Sequence, residues 1–403
     1  MNTTVIKNAK IYYKNQVIAA EMLIEGGKIA RVAKQLSGEQ IIDAGGQLIL
    51  PGAIDVHVHF RDLGEAYKED WYTGSCAAAA GGVTTVIDQP NTQPPVTDQT
   101  SYVAKQAVAR KSIVDYGINA AIDKLDELEE LWRLGVIAFG ETFMQDKAEA
   151  DLHGALQIIE RIGATLCVHA EKCLDGMSNE MGGLRTILDL NKEIRAKMHV
   201  NHVSTAAGLN LLAVSRQDVT CEVTPHHLFL SQADKARLGP FGVMSPPLQS
   251  RNDVEGLWSN LDHIDMIASD HAPHSLADKK KPSPPQGVPG VQTLLPLLLS
   301  KLDQIGISQL VQLTCKAPAA RFNLRGKGTI AEGFDADLTF INLKNRNVIT
   351  ARRLKGRSRW TPFEGLEAIF PSLTMVRGEV VFSEGSILMK EGWGNQVFGA
   401  GKA

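Results

Sequence analysis

His57 and His59 stand one residue apart at the end of the apolar run Gly52-Ala53-Ile54-Asp55-Val56. In an extended strand alternate side chains share a face, so the two imidazoles project together and can grip one metal ion. His169, His202 and Asp270 end or directly follow three other apolar runs, and Glu141 closes a fourth. Imidazole nitrogens and carboxylates are the donors expected around Zn2+ or a similar divalent ion in a catalytic site. His57, His59 and Asp270 can hold one ion, His169 and His202 a second, and a carboxylate between them can bridge ions roughly 3.5–4 Å apart. The expected cofactor is therefore one or two zinc ions per subunit, and the expected chemistry is hydrolysis. The metal acidifies a bound water and polarises a carbonyl, while Asp270 takes the proton of the attacking water and returns it to a leaving nitrogen. A helix N-cap is the competing role for Asp270. His199, three residues before His202 and so on the other face of its strand, reads as structural, as do His226 and His227 after Pro225.

Such a constellation needs a scaffold that brings distant strand ends together. From Pro51 onward, short apolar runs alternate with longer helical stretches, the pattern of βα units. Eight runs read as strands: 53–60, 84–89, 114–120, 135–141, 164–169, 198–202, 219–224 and 264–269. Eight parallel strands with crossover helices predict an α/β fold, a (β/α)8 TIM-type barrel whose functional side chains gather at the C-terminal strand ends. An open doubly wound sheet is the alternative. Residues 1–50 read instead as short strands with a Gly26-Gly27 turn, and 337–343, 373–377 and 379–382 return to that pattern with Gly378 at a turn. The expected organisation is a catalytic barrel over 51–336 and a small composite β domain from 1–50 and 337–403. The Lys-, Pro- and Gly-rich stretch 277–290 reads as a mobile loop, with Lys279, Lys280 and Lys281 solvated.

Composition narrows the function classes. The formal charge is -3, so there is no electrostatic case for nucleic acid or an anionic membrane. The five cysteines are scattered, with no CxxC pair, which argues against a disulfide framework or thiolate zinc site and for a reducing compartment. The first residues lack a basic region followed by an apolar core, and no apolar run approaches a membrane span, so a cytoplasmic protein without a signal peptide is expected.

Several segments resemble the dihydroorotase family, in the cyclic-amidase branch of the amidohydrolase superfamily. They are Asp55-Val56-His57-Val58-His59-Phe60-Arg61, Gln89-Pro90-Asn91-Thr92, His202-Val203-Ser204-Thr205, Glu222 to Leu228, Ile267 to His274, and Gly326-Lys327-Gly328. The resemblance implies reversible cyclisation of N-carbamoyl-L-aspartate to L-dihydroorotate, a step of pyrimidine synthesis. It also implies a carboxylate clamp of Arg61, Asn91 and His274, with a bidentate guanidinium as the main contact. A salt bridge to Glu65 or Asp62 is the competing role for Arg61. Backbone contacts from Pro289 and Gly290 are expected as the 277–290 loop closes over substrate. Two departures stand out. Many family members bridge the metals with a carboxylated lysine at the end of strand four, where this chain has Glu141, about 3–4 Å shorter. Ser245-Pro246-Pro247-Leu248 and Leu63 stand where the family often has Asn-Pro-Pro-Leu and Pro. Expected partners are the small-molecule substrate, a further copy of the chain and aspartate transcarbamoylase. Rival readings are allantoinase, dihydropyrimidinase, or a non-catalytic assembly protein on the same scaffold.

Overall fold

Apolar, β-branched runs build an inner ring of parallel strands: Ala53–Val58, Val83–Asp88, Asp115–Ile118, Phe139–Phe143, Thr165–His169, Lys197–Val200, Val219–Val223 and Met266–Ile267. This computed structural model describes residues 3–143, 147–174, 177–215 and 218–402. Neighbouring strands pair in parallel, in chain order. Parallel bridges Ala120–Phe139 and Val58–His271 join the remaining edges, with His59 N–H donating to His271 O at 2.8 Å. The ring is thereby closed, the barrel rather than the open sheet. Ile54, Val56, Ile87, Ile137, Cys167, Met266 and Ala268 pack its interior. Each such aliphatic side chain contributes about 1.5–3 kcal/mol by leaving water.

The fourth strand begins later than expected. Gly135 adopts a left-handed conformation (φ 99°) and ends the helix Leu128–Leu134, a conformation a β-carbon would penalise. The strand then starts at Phe139, which carries Glu141 to the barrel mouth.

Beside the barrel lies a second sheet. Thr3–Tyr13 pairs antiparallel with Gln16–Glu25 across a two-residue loop, Lys14-Asn15, both at positive φ as this tight hairpin requires. Leu48–Pro51 runs parallel to Thr3–Tyr13 and antiparallel to Leu338–Ile341, so chain from both ends enters one sheet. Leu373–Val376 and Glu379–Ser383 extend it, turning at Gly378 (φ 79°). Ile6, Ile11, Met22, Ile29, Phe340 and Met375 form its separate core.

Of the stretch 337–403 expected in this sheet, two parts lie elsewhere. Around 344–370 the chain crosses to the barrel, where Ile369 N–H donates to Pro296 O and Trp360 Nε1–H to His274 O. The last residues run along Tyr116, which exchanges bonds with Asn395 O and Val397 N–H. No helix among the described residues is long and apolar enough to cross a membrane.

Candidate active site

At the mouth of the barrel the strands end in an unusual way. Arg61, Glu141, His202 and Asp270 all take positive φ (59°, 54°, 36° and 45°). Non-glycine residues seldom adopt this conformation, which costs of order 1–3 kcal/mol each. Here it turns the chain sharply at the strand end and directs these four side chains into one cleft.

All six expected metal ligands meet there. His57 Nε2 lies 3.4 Å from Glu141 Oε1 and 3.5 Å from Asp270 Oδ1. His59 Nε2 lies 3.6 and 3.2 Å from the same two oxygens. Glu141 Oε1 is also 3.1 Å from His169 Nε2, and His169 Nδ1 faces His202 Nε2 at 2.6 Å. A single glutamate oxygen thus touches both histidine pairs, so this shorter side chain reaches the position between them. No intervening water or bridging lysine is needed for that reach.

The neighbours of these ligands set their tautomers. Buried Glu222 accepts from His57 Nδ1–H at 2.5 Å and also from His199 Nε2–H at 3.1 Å. His59 Nδ1–H donates to Asn91 Oδ1 at 2.8 Å, and Asn91 Nδ2–H donates to Glu141 Oε2 at 3.1 Å. Both imidazoles thus have Nδ1 tied and Nε2 turned towards the two carboxylates, the arrangement of a metal-bound histidine with its outer partner. His57 Nε2 is fully buried and has no hydrogen-bond partner, a costly state for a polar atom unless something else binds it. The donor set fits a divalent ion. The ligand atoms of His57, His59 and Glu141 lie within 4.8 Å of one another, and so do those of His169, Glu171 and His202.

The acids and imidazoles hold one another's charge: against the opposing effect of burial, Glu222 and Asp270 raise His57, and Glu141 raises His169, above the usual imidazole range. Burial would raise the Asp270 and Glu141 carboxyls, but the adjoining imidazoles outweigh it and hold both well below the usual range. Burial and the neighbouring His169 keep His202 neutral, as a ligand must be. Asp270 caps no helix, since Ser275 caps the next one.

The cleft, about 150 Å3, is lined beyond the ligands by Arg61, Asn91, Phe143, Ser245, Ala272, His274, Gln286 and Gly287. Arg61 pairs with neither acid that competed for it. Glu65 binds Lys68 and Asp62 lies 3.6 Å from Lys111. Among the described residues, the guanidinium meets only Pro273 O at 3.4 Å and His274 Nε2, also 3.4 Å away. His274 Nε2–H donates to Gln286 O at 2.7 Å. Asn91 is occupied chiefly with His59 and Glu141, so it orients ligands as well as lining the cleft.

Pro289 and Gly290 are a correction. Neither lines the cleft. Gly290 N–H faces His271 Nδ1 at 3.1 Å, and both residues border a separate small cavity. Lys279 explains the change. Far from solvated, it is fully buried, and its ammonium donates to Val243 O, Pro285 O and Gly287 O at 3.0, 2.9 and 3.2 Å. This folds the 277–290 loop back so that Gln286 and Gly287 face the cleft.

Two nearby acids escaped the sequence reading. Glu222 opens one of the segments that resemble the family, but its role is not readable there, because its partner His57 is 165 residues distant. Glu171 lies 3.7 Å from His202 Nδ1. It follows His169 at the same one-residue interval as His59 follows His57, a signal that was available. His199 and His227 are structural. His199 Nδ1 meets Thr220 Oγ1 at 2.9 Å, and His227 meets Thr224 Oγ1 and Pro246 O.

A closed parallel barrel with imidazoles and carboxylates converging at one mouth, carrying a smaller β sheet, is the architecture of a hydrolase of the amidohydrolase type, with donors that could hold a metal ion. The amidohydrolase family model matches residues 48–381, and the chain belongs to that family. Among curated relatives, a dihydroorotase of Methanosarcina acetivorans is 43% identical, covering 98% of this chain and 96% of its own. A dihydroorotase of Halobacterium salinarum is 37% identical, covering 92% of this chain and 95% of its own. Among solved structures, an L-hydantoinase (dihydropyrimidinase) from Arthrobacter aurescens superposes with a TM-score of 0.94 at 28% identity, over 99% of this chain and 100% of that one.

Proposed function

We propose that the chain is a zinc-dependent dihydroorotase, interconverting N-carbamoyl-L-aspartate and L-dihydroorotate. The observation that carries the choice among cyclic amidases is Arg61. It faces the cleft beside the ligand cluster, and no carboxylate of the described chain is in ion-pair contact with it. A half-buried guanidinium with no paired carboxylate suits an anionic substrate. Dihydroorotate carries a ring carboxylate, whereas dihydrouracil, hydantoin and allantoin do not. The relatives named dihydroorotase support the same reading.

His57, His59, Glu141, His169, His202 and Asp270 would hold the ions, and their imidazole and carboxylate donors suit zinc. When bound, a divalent ion supplies Lewis acidity to the amide carbonyl and acidifies water. The chain's own residues supply the rest. Arg61 grips the substrate carboxylate, with His274 and the second Asn91 N–H beside it, and so fixes the ring amide against the cluster. In ring opening, a water oxygen adds to the amide carbon and Asp270 takes its proton. The ring C–N bond breaks, and Asp270 returns the proton to the departing nitrogen. Cyclisation is the reverse. Among the described residues the thiols of Cys76, Cys167 and Cys315 are buried and free, which supports a reducing, cytoplasmic setting.

The test is to compare ring opening of dihydroorotate and dihydrouracil by the zinc-loaded protein and by Arg61→Met. The wild type should strongly prefer dihydroorotate. The variant should lose about 10^2–10^3-fold in kcat/KM for it, matching the loss of a bidentate charged contact, with metal content unchanged. Equal turnover of the two substrates by the wild type, or an undiminished variant, would contradict the assignment.

A further inference from the structure

On the other side of Trp360 from the catalytic loop lies a second cavity, far larger than the first, at about 1100 Å3. Its lining holds five arginines, Arg237, Arg346, Arg352, Arg353 and Arg359, against one acid, Glu364. The whole chain is slightly acidic, so this concentration of cations is local. Little of it is neutralised. Arg237 binds Asp234, and Arg346 lies 3.7 Å from Glu367. Arg353 donates to the neutral Asn347 Oδ1 at 3.1 Å. Among the described residues, no carboxylate pairs with Arg352, Arg353 or Arg359. Like charges gathered on one concave, solvent-facing surface repel one another and focus a positive potential. Planar guanidinium forks match phosphate oxygens bidentately. The volume exceeds what a bare phosphate needs and suits a ligand of nucleotide size.

The back wall is tied to the catalytic cleft. Trp360, 5% exposed, packs on Phe241 and donates its Nε1–H to His274 O at 2.8 Å. The Lys279 ammonium, which shapes the loop bearing Gln286 and Gly287, lies 5.3 Å from the Trp360 ring centre. This wall therefore touches His274, whose ring lies 3.4 Å from the Arg61 guanidinium in the cleft.

We infer that the arginine-lined cavity is a binding site for a multiply phosphorylated small molecule, and that its occupancy alters substrate affinity through Trp360 and His274. The coupling half rests on the dihydroorotase reading; the binding half does not.

Calorimetric titration of the full chain with inorganic tripolyphosphate tests the binding, at low salt and at 0.15 M salt, where screening weakens it. The expected result is saturable binding that weakens at least tenfold in the double variant Arg352→Gln/Arg359→Gln. That variant alters exposed side chains and should keep wild-type ring opening in the absence of tripolyphosphate. Tripolyphosphate should change KM for dihydroorotate in the wild type and not in the double variant. No binding at low salt, or equal affinity in the variant, would overturn the site. Binding of an acidic peptide such as oligoglutamate without tripolyphosphate binding would also overturn it, making the cavity a protein-docking surface. Binding with KM unmoved would overturn the coupling. Absence of all ring opening would refute the dihydroorotase reading and leave the calorimetric result standing.

Discussion

Two buried clusters in this molecule each gather carboxylates within reach of one another, and they differ in what faces those carboxylates. At the junction of barrel and small sheet, Asp115, Asp335 and Asp337 converge. The chain supplies its own cations to them. Lys327 contacts all three acids, Arg377 pairs with Asp115, and Lys28 reaches Asp335 at 2.8 Å. At the barrel mouth, Glu141 and Asp270 are faced by imidazole nitrogens whose other ring positions are tied by Glu222 and Asn91. His57 Nε2 is buried without a partner. The first cluster is closed and joins elements distant in sequence. The second presents donors that fit a divalent cation. Proximity of acids alone does not mark a metal site; the protonation pattern of the groups around them does.

The largest effect should come from emptying the second cluster. His57→Ala should lose bound metal and at least about 10^3-fold in kcat/KM, the several kcal/mol that a Lewis acid contributes. Elemental analysis alongside a ring-opening assay checks both. If the variant keeps its metal, the proposed ligand set is wrong.

Lys327→Met is the counterpart in the closed cluster. It strands buried carboxylates and should destabilise the fold by about 3–5 kcal/mol in urea unfolding while leaving metal content unchanged. A loss of metal here would erase the distinction between the clusters.

A third buried acid separates them further. Glu69 accepts from Thr73 Oγ1–H and Arg357 N–H. Among the described residues it forms no close ion pair, and His271 Nε2, at 3.8 Å, belongs to an imidazole that burial keeps neutral. Burial pushes its carboxyl up to about 7. With the folded value above the unfolded one, the native state binds more protons between roughly pH 4.5 and 7. Stability therefore falls as pH rises through that window, by up to about 3 kcal/mol. Glu69→Gln should flatten this slope. An unchanged slope in thermal or urea unfolding would show that another group titrates there.

The smallest effect belongs to Asn91→Ala. Freed from its hydrogen bonds, His59 and Glu141 should lose orientation, weakening metal affinity by about 10–100-fold. Competition with a chelator reads it directly. A change in KM alone would mean that Asn91 serves the substrate and not the ligands.

The barrel and its ligand-bearing ends were legible because each strand is a local signal, an apolar run of the right length, and several of them end at or beside a histidine or acid. Glu222 was not, because a lone charge in an apolar strand has meaning only once the barrel brings His57 beside it. The 277–290 loop misled for a related reason. A Lys-, Pro- and Gly-rich stretch reads as solvated until Val243 O, contributed from more than thirty residues earlier, meets the Lys279 ammonium. That single burial moved the expected substrate contacts from Pro289 and Gly290 to Gln286 and Gly287. Glu141 lay between these cases. Its position was readable, and its reach to both histidine pairs was not, because that depends on the left-handed turn at its own backbone.

Metal removal and restoration bears most directly on the whole account. Protein stripped with a chelator should fail to open dihydroorotate, and stoichiometric zinc should restore the rate. Full turnover by protein shown to be metal-free would contradict it.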